Sequence, residues 1–378
     1  LRWQGRFDES REQAALAAER LRQGSPSWYR AVAEWLTATS RLGEYEQARR
    51  WARAAREAQQ QDGASSARVG CLCQAARVLF HGGAYESAAE LLAESQRVVL
   101  ADERLDALAV AEVHRLRGAQ ARHVGDVVGD FDGYSAALEA YQRAGDENNA
   151  CNARVSVGFA LIELGDYARA GELLHDALKR AERMGLSTIA TRARQNLALV
   201  YAAREDLDAA RQALEQAIDE SVEQQNVRFA NWTRIYLARV ELAAGNLERA
   251  EQQARQAADE LRVTPPARAG ALAALAQVLV ANGRADEALE AALEAREILE
   301  RFGGIEEFEA LVWIALVETH AALDDQQAAR ASAERALQRL HEQAERIGEA
   351  ERPRFLGAVA DNARIIELAD SYLPESSS

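Results

Sequence analysis

Leu161-Ile-Glu-Leu-Gly-Asp-Tyr-Ala-Arg-Ala170 is the stretch on which the fold turns. An apolar run ends at Gly165, an aromatic residue follows two positions later, and an alanine stands at Ala170. Glycine takes the backbone through a left-handed turn at a helix C-terminus without the steric cost of a Cβ. The stretch therefore reads as the tight turn between two antiparallel helices, with Tyr167 plugging it.

Outward from Gly165 the pattern recurs. Anchor residues fall at Gly5, Gly43, Gly83, Asp132, Gly165, Glu205, Gly245, Gly283 and Asp324, a period of about 40. The step to Asp132 is 49 and the next is 33, which places an insertion at Asp126–Asp132. Five residues after the anchors stand Ser10, Ala48, Ala88, Ala137, Ala170, Ala210, Ala250, Ala288 and Ala329. Twelve after stand Ala17, Ala55, Ser95, Ala144, Ala177, Ala217, Ala257, Ala295 and Ala336. Small residues seven apart share one helical face and let a neighbouring helix approach closely. Eight before the anchor, Trp35, Val157, Leu197, Leu237, Leu275 and Leu316 form an apolar column on the first helix of each pair.

These segments, with Asn196-Leu-Ala-Leu-Val-Tyr201, resemble tetratricopeptide repeats over roughly residues 1–340. The resemblance implies an all-α, right-handed superhelical solenoid whose first helices line a concave groove. The period exceeds the family's 34, so longer helices are expected. The expected organisation is a solenoid over 1–350 (a half repeat plus eight helix pairs), a closing helix at 351–373 and a disordered tail at 374–378. Gly5 and Phe7 open a second helix whose partner would precede Leu1, so residue 1 reads as an excision point within a longer protein. The closing stretch, Arg354-Phe-Leu-Gly-Ala through Ile365, Ile366 and Leu368-Ala369, resembles the last helix of arrays on bacterial multidomain signalling proteins. Those proteins carry a Ser/Thr kinase or a signal-transduction ATPase ahead of the repeats.

Composition agrees. Alanine, the best helix former, accounts for 81 of 378 residues and explains how 48% hydrophobic content coexists with a mean hydropathy of −0.33. The longest apolar run, around Ala271–Ala281, is interrupted by Gln277 and is too short for a membrane span. The net charge of −15 disfavours nucleic acid and anionic lipid as partners. Three cysteines make no disulfide framework, so a reducing, cytoplasmic setting is expected.

Chemistry-bearing motifs are weak. Cys71 and Cys73 point about 200° apart on a helix, with no second pair to complete a zinc site. The six histidines lack a carboxylate-and-serine constellation. Asp130, Asp132, Gly133 and Glu139 match part of a calcium loop, but Val128 occupies the leading ligand position, and a polar loop with an Asx-type turn fits better. No catalytic residue, cofactor or metal is expected, and enzyme function is the least favoured class.

The concave stripe lies thirteen, ten, six, three and two residues before each turn, phased in the fourth repeat from Gly125. It presents Arg30, Arg41, Arg77, His81, Arg115, Arg122, His123, Arg192, Gln195, Trp232 and Arg239, against Glu112, Glu163 and Glu318. An arginine-rich groove in an acidic molecule suits a protein or peptide carrying carboxylates or phosphates, because the guanidinium fork binds both bidentately. The catalytic domain of the same protein is a further candidate partner. The alternative is a sensor of a small-molecule inducer, which a deep pocket near Trp232 and Arg239 would favour.

Overall fold

A computed structural model describes residues 6–42, 45–102, 104–305 and 307–373, and side chains within these ranges except Arg41, Leu42, Tyr45 and His81. It is all-helical, with nineteen helices among the described residues. They are α1 (Phe7–Arg20), α2 (Pro26–Leu42), α3 (Tyr45–Glu57), α4 (Ser65–His81), α5 (Tyr85–Ala101), α6 (Ala107–His123), α7 (Val127–Arg143) and α8 (Glu147–Glu163). There follow α9 (Tyr167–Arg183), α10 (Ser187–Ala203), α11 (Leu207–Glu223), α12 (Val227–Ala243), α13 (Leu247–Glu260) and α14 (Pro265–Ala281). The chain closes with α15 (Ala285–Phe302), α16 (Glu309–Ala322), α17 (Gln326–Ala344), α18 (Arg352–Ala358) and α19 (Ala360–Tyr372).

The Gly165 turn shows why the pairs form. Gly165 has φ +74°, and the Asp166 amide reaches back five residues to the Leu161 carbonyl at 2.8 Å. This is the Schellman closure, which satisfies carbonyls that the helix end would leave bare. Asp166 then caps α9, its carboxylate accepting from the Arg169 amide. The same closure recurs at Asp126, Asp146, Asp206, Asn226 and Asp325. Glu205, Gln225 and Asp324 carry the left-handed turn without being glycine, at φ 62°, 55° and 59°.

The fourth repeat departs from its expected phase. Its turn is Gly125, at φ +70°, and the interval from Asp126 to Asp132 is not an insertion. Residues Val127–Arg143 form one continuous helix, so Asp130, Asp132 and Glu139 cannot wrap a cation as a loop. A slip of seven residues is two helical turns and keeps the same face. Ala137 and Ala144 therefore matched the small-residue columns while being one heptad out. With the turn at Gly125, the position held elsewhere by Ala48, Ala88, Ala170 and Ala210 falls to Asp130, which is fully buried like those alanines. A few residues on, Gly133 meets Gly118 of α6 so closely that a Cβ would stand 2.5 Å from the Gly118 nitrogen.

First helices and second helices differ as their places require. α8, α12, α14 and α16 are buried around most of their circumference, while α9, α11 and α13 bury one narrow, largely alanine face. The winding then returns on itself. Phe302 at the end of α15 lies against Gly83, Gln343 of α17 against Gly125, and Arg354 of α18 against Gly165. Helix α19 packs on α16 and α17. The closing segment is two helices, bent at Val359 (ψ 114°), rather than one.

Candidate ligand-binding channel

The inner faces of α2, α4, α6, α8 and α10 converge on a polar channel of about 320 Å³. Arg30, Arg77, Arg115 and Arg192 line it, with Asn149 and Asn152 between them. Four acids, Glu34, Asp106, Glu112 and Asp146, line it too, so the wall is charge-balanced rather than simply basic. Most of that acid is already committed. Asp106 and Asp146 cap α6 and α8 through the Ala109 and Asn149 amides. Glu112 pairs with buried Arg115 and accepts from the Tyr141 hydroxyl. Burial alone would raise the Glu112 pKa, but Arg115, Tyr141 and Arg77 outweigh it and hold the carboxyl below its usual value.

Arg192 is different. Its guanidinium donates to the Asn152 side chain at 2.6 Å. Among the described residues its hydrogen bond is to this amide, not to a carboxylate. Burial lowers its pKa from the ordinary arginine value, and the neighbouring charges of Arg122 and Arg115 add to that. Tyr134 and the Glu307 charge act the other way without outweighing burial, so a buried guanidinium with an amide as its hydrogen-bond partner is suited to an anion.

Between this channel and the C-terminal half lies the Asp130 cluster. Arg122 donates to Asp130 at 2.9 Å and lies over the rings of Phe159 (4.6 Å) and Tyr134 (5.2 Å). Burial pushes Asp130 up to about 6, against the pull of Arg122. Burial also drives Glu163 well above the usual carboxylate range, and the neighbouring Asp130 charge adds to that, against the pull of Arg122.

The C-terminal half holds a second, larger chamber of about 550 Å³, walled by Phe159, Leu199, Tyr236 and Val240, with Arg239 at its rim. Two segments close it. The six-residue connection Gly303–Phe308 enters from one side, and its Glu307 carboxylate accepts from the Trp232 indole at 2.9 Å and from the Tyr236 hydroxyl. The α18–α19 strap crosses the other side. There Tyr167 donates its hydroxyl proton to the Ala358 carbonyl at 3.2 Å, Arg354 donates to the Leu164 carbonyl at 3.2 Å, and Arg239 pairs with Asp361.

The structure thus brings Arg30, Arg77, Arg115 and Arg192 to one channel and Arg122 and Arg239 to the other chamber. Arg30 is exposed at the channel's edge. Two expected residues lie elsewhere. His123 is buried, stacked on Tyr85 with centroids 3.7 Å apart. Gln195 is buried between α10 and α12, accepting from the Thr233 hydroxyl at 2.7 Å. Trp232 turns its indole to Glu307. The side chains of Arg41 and His81 lie outside those described. Sequence reasoning missed Asn152, Tyr236, Glu307, Phe308 and Asp361. The Gly303-Gly304 pair, twenty residues past the Gly283 anchor, was the available signal for the loop.

No protein-family model matches the chain, and no curated protein matches it. Solved structures do. A crystal structure of a Rap protein complexed with competence and sporulation factor matches at TM-score 0.65 and 13% identity, over 91% of this chain and 98% of that one. The Rap conjugation gene regulator of plasmid pLS20, in complex with the Phr* peptide, matches at 0.55 and 14%, over 93% and 99%. Aspartyl phosphate phosphatase F from Bacillus subtilis matches at 0.53 and 12%, over 89% and 92%. At such identities the likeness is one of fold, and the fold is the tetratricopeptide-type helical solenoid.

Proposed function

We propose that this chain is a non-catalytic recognition solenoid of a larger cytoplasmic, bacterial-type signalling protein. It captures a peptide or partner segment bearing carboxylates or phosphates in the α2–α10 channel, the partner coming from another protein or from a catalytic domain of the same one. The observation that carries this is Arg192, desolvated, held by Asn152 and facing the channel beside Arg77 and Arg115. Peptide-bound structures of Rap proteins share the fold, and a superhelical groove is suited to an extended ligand. The thiols offer no nucleophile in support of an enzyme: Cys71 and Cys73 are buried, and burial pushes Cys73 up to about 12. A peptide array in which one acidic position is glutamate, phosphoserine or glutamine tests the reading. The wild-type chain should retain the glutamate and phosphoserine forms at least about tenfold over glutamine, since a charge-assisted contact is worth about 1.5–3 kcal/mol. Arg77→Glu with Arg192→Glu should abolish that preference while helicity stays intact. Equal retention of the glutamine form overturns the proposal.

The second reading is a small-molecule sensor, favoured by the chamber of about 550 Å³ beside Tyr236 and Arg239. That size is within the range of ligand pockets.

A further inference from the structure

The Gly303–Phe308 connection is unlike its neighbours. The corresponding connections after α7, α9 and α11 need three residues each and that after α13 four, while those after α1, α3 and α5 need five, seven and five. This one needs six and turns inward. Ile305 and Phe308 are buried at 4% and 9% exposure. The Phe308 ring sits 5.4 Å from Trp232 and 5.2 Å from Tyr236. Its seat exists because residue 270 is glycine: a Cβ there would come within 2.4 Å of the Phe308 ring. The Glu307 carboxylate takes both aromatic donors, Trp232 Nε1 and Tyr236 Oη. Its charge also acts on Arg122 and Arg192.

This seating is strained. Gly303 and Gly304 take φ 67° and 147° freely, but Phe308 has φ 67°, a left-handed backbone that side chains with a Cβ resist. A non-glycine residue held there marks a site where surrounding contacts override the local preference. Here those contacts are two hydrogen-bond donors for one carboxylate and a two-ring cage for one phenyl group.

We propose that Trp232, Tyr236 and Gly270 form a binding site for a carboxylate adjoining an aromatic ring, and that Glu307 and Phe308 occupy it as a built-in ligand. An incoming acidic-aromatic segment displaces them, taking the two donors and the ring cage and extending into the adjoining chamber. Displacement releases the left-handed strain at Phe308, which partly offsets the contacts the loop gives up. The tethered loop competes at the high effective concentration of an intramolecular ligand, so occupancy from outside is weak until the loop is disabled. This site lies in the C-terminal chamber rather than in the α2–α10 channel, and its test leaves Arg77 and Arg192 in place.

The full chain carrying Glu307→Ala and Phe308→Gly removes both anchors and relaxes the backbone. Calorimetric titration uses two probes, the hexapeptide of residues 303–308 and 3-phenylpropanoate, which carries the same pair of groups without a peptide backbone. The variant should bind at least one of them about tenfold or more tighter than the wild type does. Hexapeptides with glutamine for both glutamates, or alanine for phenylalanine, should lose that gain. Binding of phenylpropanoate assigns the site to small aromatic acids, and binding of the hexapeptide alone assigns it to peptides. A variant of wild-type helicity that binds neither probe better, or that binds the altered hexapeptides equally, overturns the proposal. If the variant does not fold, the wild-type chain labelled with 5-fluorotryptophan decides. The Trp232 resonance, assigned through Trp232→Phe, should move on addition of about 10 mM hexapeptide, and an unmoved resonance is the negative result.

Discussion

The two halves of the bore are built from one repeat and are unlike inside. In the α2–α10 channel the first helices present arginine and amide side chains to the space, and the turn residues Asp106 and Asp146 join the lining. In the α12–α19 half the same kind of helix presents Trp232, Tyr236 and Val240, and two segments outside the repeat pattern cover the space. The difference teaches where specificity is written in such a solenoid. The repeat fixes which helix faces the bore, and departures from the repeat decide what else lines it.

The comparison breaks most visibly at the roof. Phe355 of α18 is 3% exposed, and Phe355→Ala should cost about 3–4 kcal/mol by the usual loss for a buried phenyl ring. Urea unfolding should show that loss while the anionic peptide preference of the α2–α10 channel persists. A simultaneous loss of both would show that the halves do not act separately.

The wall between them sharpens the contrast through pH. Asp130 has a folded pKa of about 6, above its unfolded value. The folded state therefore binds the extra proton, and the Asp130 contribution to stability is present at acid pH and lost as pH rises from about 4 to about 6. The loss reaches at most about 3 kcal/mol for this one group. Asp130→Asn should flatten the corresponding part of the stability–pH curve relative to wild type. An unchanged curve would show that Arg122 fully compensates the burial.

The smallest effect belongs to turns outside both regions. Gln225 sits at φ 55°, and Gln225→Gly should raise stability by about 1 kcal/mol by removing the left-handed penalty. The same substitution should leave ligand binding in both chambers unchanged. A binding change would mean that the turns tune the bore after all.

Much of this molecule was legible because helix periodicity repeats the same physical instruction. The turn glycines, the alanine columns and the apolar first helices all constrain neighbours within 40 residues. Asp130 escaped because a heptad slip preserves the helix face, so two alternative phases both put small residues against the next helix. The channel arginines were legible as positions on a face, but their partners were not. Nothing local says that Arg122 will be spent on Asp130 and Arg239 on Asp361, while Arg192 donates to Asn152. The second chamber was illegible for the same reason at longer range. The contacts that close it join residues 71 to 191 positions apart.

Phe302 against Gly83, Gln343 against Gly125 and Arg354 against Gly165 have a consequence for how the protein can change over evolutionary time. A linear repeat array tolerates gain or loss of one unit, since each unit answers only to its neighbours. Here the far end must land on particular glycines of an earlier coil. Duplicating or deleting one helix pair anywhere between Gly83 and Phe302 would rotate that landing away from its seat. The number of repeats in this stretch is thus part of the specification, as ring size is in a macrocycle, and unfolding from the C-terminus must release two coils rather than one.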